Sequence, residues 1–127
     1  MKTFVLATCL LATVIYAVDH EQLKHMYELF NECIKHENIT ENVELRPDVW
    51  FCVLSKRGVI DENDVIVKEE AMSYCEAVTI CPQGCKKIVT KCIREGNQVP
   101  GSNKEKSLAT LECDLKSDIL NLVPKRE

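Results

Sequence analysis

An all-α fold of five or six helices, closed by disulfides, is predicted from three observations. Apolar residues recur at helical spacing through five segments. Glycine and proline are scarce, four of each in 127 residues, and most stand where such a segment starts or stops. No segment alternates apolar and polar residues as a half-buried strand would.

The N-terminus fixes the expected compartment. Met1-Lys2 is a short basic start, and "TFVLATCLLATVIYA" is an apolar run that ends on a small residue. This is the pattern of a secretory signal peptide, residues 1–17, cut after Ala17. The run is too short to anchor the chain in a bilayer, so no stable membrane insertion is expected. The remaining segment, 18–127, suffices for one helical domain with its own core.

The first helix is expected over Asp19–His36, with Asp19 as N-cap and Leu23, Met26, Tyr27, Phe30, Cys33 and Ile34 on its apolar face. A polar loop at 37–46 follows and holds "NIT", an N-glycosylation sequon on Asn38. Pro47 opens a second helix, and Gly58 ends it in the left-handed conformation. "VIDEND" reads as a turn, or as a short sixth helical turn near 59–66. A third helix is expected over about 65–79, and a fourth from Pro82 to Gly96. Ser102 and Glu105 form a capping box for a fifth helix whose Leu108, Leu111, Leu115, Ile119 and Leu122 face the core until Pro124.

Seven cysteines remain after the expected cleavage: Cys33, Cys52, Cys75, Cys81, Cys85, Cys92 and Cys113. A secreted chain matures under oxidising conditions, so disulfides are the default. Metal ligation is not expected, because the spacing of 81, 85 and 92 contains no C-x-x-C pair. On one helix, Cys85 and Cys92 lie about 10 Å apart at a rise of ~1.5 Å per residue, too far to bond each other. Each must reach a different neighbour. Among the pairings open to seven cysteines, Cys75–Cys92, Cys85–Cys113 and Cys33–Cys52 satisfy this. They leave Cys81 unpaired, or as a link between two chains in a homodimer.

The same residues exclude several functions. Without Lys2 the chain has 15 basic and 20 acidic residues, a net charge of −5, so no nucleic-acid partner is expected. The one basic cluster, Lys86, Lys87, Lys91 and Arg94, reads as a solvated helix face. His20, His25 and His36 fall at no spacing that spells a catalytic triad or a metal pair. No phosphate loop or nucleophile elbow occurs. Neither an enzyme nor a cofactor is expected.

Five stretches in order, "VWFC", "SKRGV", "KEEAMSYC", "CKKIVTKC" and "PGSNKEKS", resemble the fire ant venom allergen 2/4 family, which is related to insect pheromone and general odorant-binding proteins. The likeness spans the mature chain and the signal peptide. It implies a compact odorant-binding-protein-like helical fold, secretion into venom, allergenicity with IgE as a partner in sensitised hosts, and a cavity for a small hydrophobic ligand. The allergen 2 branch carries an extra cysteine used for covalent dimers. This chain has Thr40 near that place and so resembles the allergen 4 branch. The leading expectation is a non-enzymatic carrier whose walls are drawn from Met26, Tyr27, Phe30, Trp50, Val89, Leu108, Leu111 and Leu115. Tyr27 and Trp50 are the expected polar contacts, because each has an O–H or N–H to place. The alternative is a structural or toxic venom protein with a filled core, acting through Lys87, Lys91 and Arg94 on membranes or host receptors. An enclosed apolar pocket of at least ~300 Å³ would favour the carrier.

Overall fold

The computed structural model describes residues 18–38 and 40–125. The expected signal peptide, residues 1–17, lies outside them. Five α-helices follow in order: α1 His20–Glu37, α2 Pro47–Arg57, α3 Lys68–Val78, α4 Pro82–Asn97 and α5 Asn103–Lys116. Two 3-10 turns, Val43–Leu45 and Ile119–Leu122, complete the set. Among the described residues there is no strand, so the fold is all-α as the periodicity predicts.

The local signals account for most helix ends. The Asp19 carboxylate accepts from the N–H groups of Glu21 at 3.1 Å and Gln22 at 3.2 Å, which satisfies two orphan donors at the start of α1. The hydrogen bond from the Gln22 backbone is the main reason its pKa lies below the ordinary value. The Asp19 N–H also donates to the Ala77 carbonyl at 2.8 Å, tying α1 to the end of α3. Pro47 and Pro82 each stand in the first turn of a helix. Gly58 closes α2 at φ 86°, a conformation that costs glycine little. The Ser102–Glu105 capping box forms in full at the start of α5.

Two elements differ from expectation. The third helix starts at Lys68 because the chain before it is committed elsewhere. Ile60 and Ile66 form an isolated antiparallel bridge, Val67 N–H donates to Val59 carbonyl at 2.8 Å, and the Asp61 carboxylate accepts from the N–H groups of Asn63 and Val65. This closed turn replaces the sixth helical turn considered for 59–66. The fifth helix stops at Lys116, well before Pro124. Asp118 adopts φ 61°, in the left-handed region that Asp tolerates better than most residues, and the chain turns into the second 3-10 segment.

The disulfides correct the expected pairing in two of three cases. Cys33–Cys52 joins α1 to α2 as expected, at a Cα separation of 6.0 Å. The others are Cys75–Cys85 and Cys92–Cys113, at 5.6 and 5.5 Å, instead of Cys75–Cys92 and Cys85–Cys113. The geometric rule survives: Cys85 and Cys92 do bond to different helices. Register decides which takes which. α3 and α4 are joined by three residues, so the last turn of α3, with Cys75, meets the first turn of α4, with Cys85. Cys92 lies about 10 Å further along α4. α4 and α5 run antiparallel, with Gly96 against Thr110 and Cys92 against Cys113. Extending that register to Cys85 passes the end of α5.

Cys81, expected to be unpaired or intermolecular, is disulfide-bonded and buried at the start of α4. Its bond is not one of the three above.

A β-carbon on Gly96 would run into Thr110 Oγ1 and lie 2.8 Å from the Lys106 carbonyl oxygen. Gly96→Ala is therefore expected to lower stability by about 1–3 kcal/mol in chemical denaturation. Thr110→Ala should not rescue it, because the Lys106 carbonyl is backbone. Trypsin leaves Cys75 and Cys85 together in peptide 69–86 and cuts between Cys85 and Cys92 at Lys86, Lys87 and Lys91, so non-reducing mapping should find the Cys92 peptide joined to the Cys113 peptide and not to peptide 69–86. Recovery of a Cys75–Cys92 peptide would contradict the register.

Candidate functional site

The five helices converge on an apolar chamber of about 100 Å³. Its walls come from the buried stripe of each: Met26 on α1, Trp50 on α2, Ala71 and Tyr74 on α3, Val89 on α4, and Leu111 and Asp114 on α5. The turn at 59–66 and the C-terminal segment close it with Val59, Ile66, Ile119, Leu120 and Val123. This volume is smaller than the ~300 Å³ expected of a carrier. A groove of about 430 Å³ adjoins it, lined by Tyr27, Phe30, Glu44, Asn121 and Lys125. Met26, Trp50, Leu120 and Val123 belong to both, so four side chains form the partition.

The expected wall residues divide accordingly. Val89, Leu111 and Leu115 line the chamber; Tyr27 and Phe30 line the groove; Met26 and Trp50 line both. Leu108 lines neither. The buried face of α5 is Ser107, Thr110, Leu111 and Asp114, one position round from the stripe that Leu108 was assigned to. Phe30 and Trp50 stack at 4.9 Å between ring centroids, inclined by 35°, which fixes the outer wall.

The expected polar contacts also need correction. Tyr27 Oη donates to the Pro124 carbonyl at 2.7 Å, and Trp50 Nε1 donates to the Glu44 carbonyl at 2.9 Å. Both handles are used in holding loops to helices. The threonines of the chamber wall are occupied too: Thr79 Oγ1 donates to Cys75 carbonyl at 2.6 Å and Thr110 Oγ1 to Lys106 carbonyl at 3.0 Å. Two chamber residues remain with a buried polar atom that no protein group satisfies, Tyr74 Oη and Asp114 Oδ1. Each residue is only 8% exposed. Burial pushes the Asp114 carboxyl up to about 8. It also raises the Tyr74 phenol, a shift opposed by the Arg57 guanidinium 5.5 Å from the ring centroid. Arg57 in turn donates to Gln22 Oε1 at 2.7 Å, so Tyr74 is held between α1, α2 and the chamber.

Sequence reasoning passed over Asp114 because a carboxylate suggests solvent. The signal was its spacing: it stands three residues after Leu111 and seven after Ser107, on one helical face. The remaining candidates lie on the surface. His20, His25 and His36 are exposed. Among the described residues no three His, Cys, Asp or Glu side chains converge in a metal-binding cluster. Lys86 pairs with Glu76 at 3.5 Å and Lys91 with Glu95 at 3.8 Å, which divides the basic cluster. Asn38 of the sequon is exposed at the end of α1, in the left-handed conformation.

The fold and site thus define a class: a small helical protein, cross-linked by disulfides, built around an apolar chamber. The comparison with known proteins places it more closely. Residues 32–118 match the ant venom allergen Sol i 2 family, and the chain belongs to that family. It is 39% identical to venom allergen 4 of Solenopsis geminata and 37% identical to venom allergen 4 of Solenopsis invicta, each over 96% of this chain and 95% of the relative. It is 36% identical to venom allergen 2 of Solenopsis saevissima, over 94% of this chain and 93% of that protein.

The raised pKa of Asp114 predicts a sign for pH dependence. Between about pH 4 and 8 the folded chain holds a proton there that the unfolded chain releases, so stability falls as pH rises through this window and levels off above it. Asp114→Asn should flatten that decline and be more stable than the wild type at pH 8.5, by an amount on the order of a few kcal/mol in chemical denaturation. Equal melting profiles at pH 5 and pH 8.5 would show that the carboxyl is not buried as described.

Proposed function

We propose that the protein is a non-enzymatic carrier, secreted into venom, that holds a small hydrophobic ligand in the chamber between its five helices. One observation supports this best: an apolar chamber with two unsatisfied polar atoms, separated from an outer groove by four side chains. Chamber and groove together exceed the lower limit of about 300 Å³ for small-molecule sites. The partition residues Leu120 and Val123 belong to the C-terminal segment, so modest movement there would join the two spaces. The names of the relatives support venom as the compartment and allergenicity, for which IgE would be the partner in sensitised hosts. The disulfides suit a secretory route.

The alternative of a filled core acting through the basic face has less support. That face is broken up by ion pairs from Lys86 and Lys91, and no helix among the described residues is long and apolar enough to cross a membrane.

A delipidated sample should enhance the fluorescence of an apolar probe such as N-phenylnaphthylamine, and small terpenoids should displace it. Val89→Phe, which fills the chamber, should weaken that binding about tenfold or more with the helical circular-dichroism signal retained. A delipidated protein that binds no such probe would overturn the carrier reading. Native mass spectrometry of venom-purified protein reports any bound molecule and any homodimer in one measurement.

A further inference from the structure

The chamber offers a bound molecule no polar partner. Its helical walls use their backbone N–H and C=O groups within the helices. The hydroxyls of Thr79 and Thr110 donate to the Cys75 and Lys106 carbonyls, at 2.6 and 3.0 Å. Tyr74 Oη and Asp114 Oδ1 are unpaired, yet packing closes both to a group the size of water. The surface that remains is almost wholly apolar: Met26, Val78, Val89, Leu111 and the Cys75–Cys85 bridge supply much of it.

This deficit acts on water first. A buried water needs about two to four polar partners, and one entering this space would gain none, although it would fit. The deficit acts equally on any heteroatom of a ligand. A hydroxyl, carbonyl or amine sheds its water on entry and recovers no hydrogen bond, as in transfer from water to alkane. Carbon carries no such penalty and gains dispersion contacts with the walls. Size adds a second limit. An apolar cavity of about 150 Å³ holds benzene, and this one, at about 100 Å³, suits a compact group of that size or slightly smaller.

Resting on the carrier reading, we infer that the chamber is a dry site for pure hydrocarbon: a compact alkyl or aromatic group that carries no polar atom. Selectivity then comes from exclusion, since the walls reject whatever must keep a hydrogen bond. The neutral form that burial favours at Asp114 suits this role, because a charge in the wall would draw water towards the chamber.

The test compares 2-methylbutane with 2-methylpropan-1-ol, in which a hydroxyl replaces a methyl group of a molecule otherwise the same. Each is titrated into delipidated protein at pH 6, and the methyl signals of Val89 and Leu111 are followed by NMR. The alkane is expected to bind about a hundredfold or more tightly than the alcohol, a preference closer to that of cyclohexane than of octanol. Benzene should shift the same signals, and Val89→Phe should abolish the shifts with all three compounds. No water-to-methyl Overhauser effect should reach Val89 or Leu111. A preference of about tenfold or less in the wild type, or a strong water signal at these methyls, would overturn the inference and leave the carrier reading standing. Binding of the fluorescent apolar probe without binding of the alkane would also overturn it, and would move the ligand to the groove. If neither the probe nor the alkane binds, the carrier reading falls, and the inference with it.

Discussion

The contact between α4 and α5 is the constraint from which the rest of the molecule follows. Gly96 has no side chain, and the Thr110 hydroxyl and Lys106 carbonyl occupy the space a β-carbon would need. That close approach sets the antiparallel register and places Cys92 level with Cys113, where the disulfide holds it. The same register rotates α5 so that Leu111 and Asp114 face inward, opposite Val89. At its other end α4 is bonded to α3 through Cys85 and Cys75, which brings Tyr74 to the same chamber. One helix, fastened at both ends to different neighbours, thereby positions the residues that line the interior.

The cross-links also answer an energetic need. A core with a chamber gives up dispersion contacts, and two orphaned polar atoms add a further cost. Three disulfides closing 10, 19 and 21 residues each offset that by about 2–4 kcal/mol, chiefly by restricting the unfolded chain. A filled core of this size would have less use for them. The chamber and the bonds belong to one design, in which interior packing is given up and covalent constraint replaces it.

Much of the fold was legible in the sequence because its signals are local. Asp19, Pro47, Gly58, Pro82 and the Ser102–Glu105 pair each act within a few residues of themselves, and each ends or starts a helix where it should. What escaped depends on contacts between distant segments. The handles of Tyr27 and Trp50 looked available, but Tyr27 finds a carbonyl 97 residues away. The disulfide partners were inverted because each was chosen by helix and not by level along the helix. The connections near residues 80 and 100 carried that information, since a short link places residues at equal distances on either side of it together. Leu115 and Ile119 continued a helical stripe, and only the left-handed Asp118 broke it.

That break shapes the site as well as the helix. Had α5 continued straight, Ile119 and Leu122 would have left the body of the protein with it, and the chamber would open to solvent at that end. The turn at Asp118 brings the 3-10 segment back, where Ile80 N–H donates to the Leu122 carbonyl at 2.8 Å and Pro124 accepts from Tyr27. Leu120 and Val123 are thereby set between chamber and groove. These anchors are two hydrogen bonds and a few apolar contacts, with no covalent link among those described, whereas all three described disulfides join helices α1 to α5. Strength is therefore unevenly distributed around the chamber: the walls are cross-linked, and the partition is held by weaker interactions. Local opening of the chamber meets least resistance at the C-terminal segment, because movement there breaks the fewest interactions.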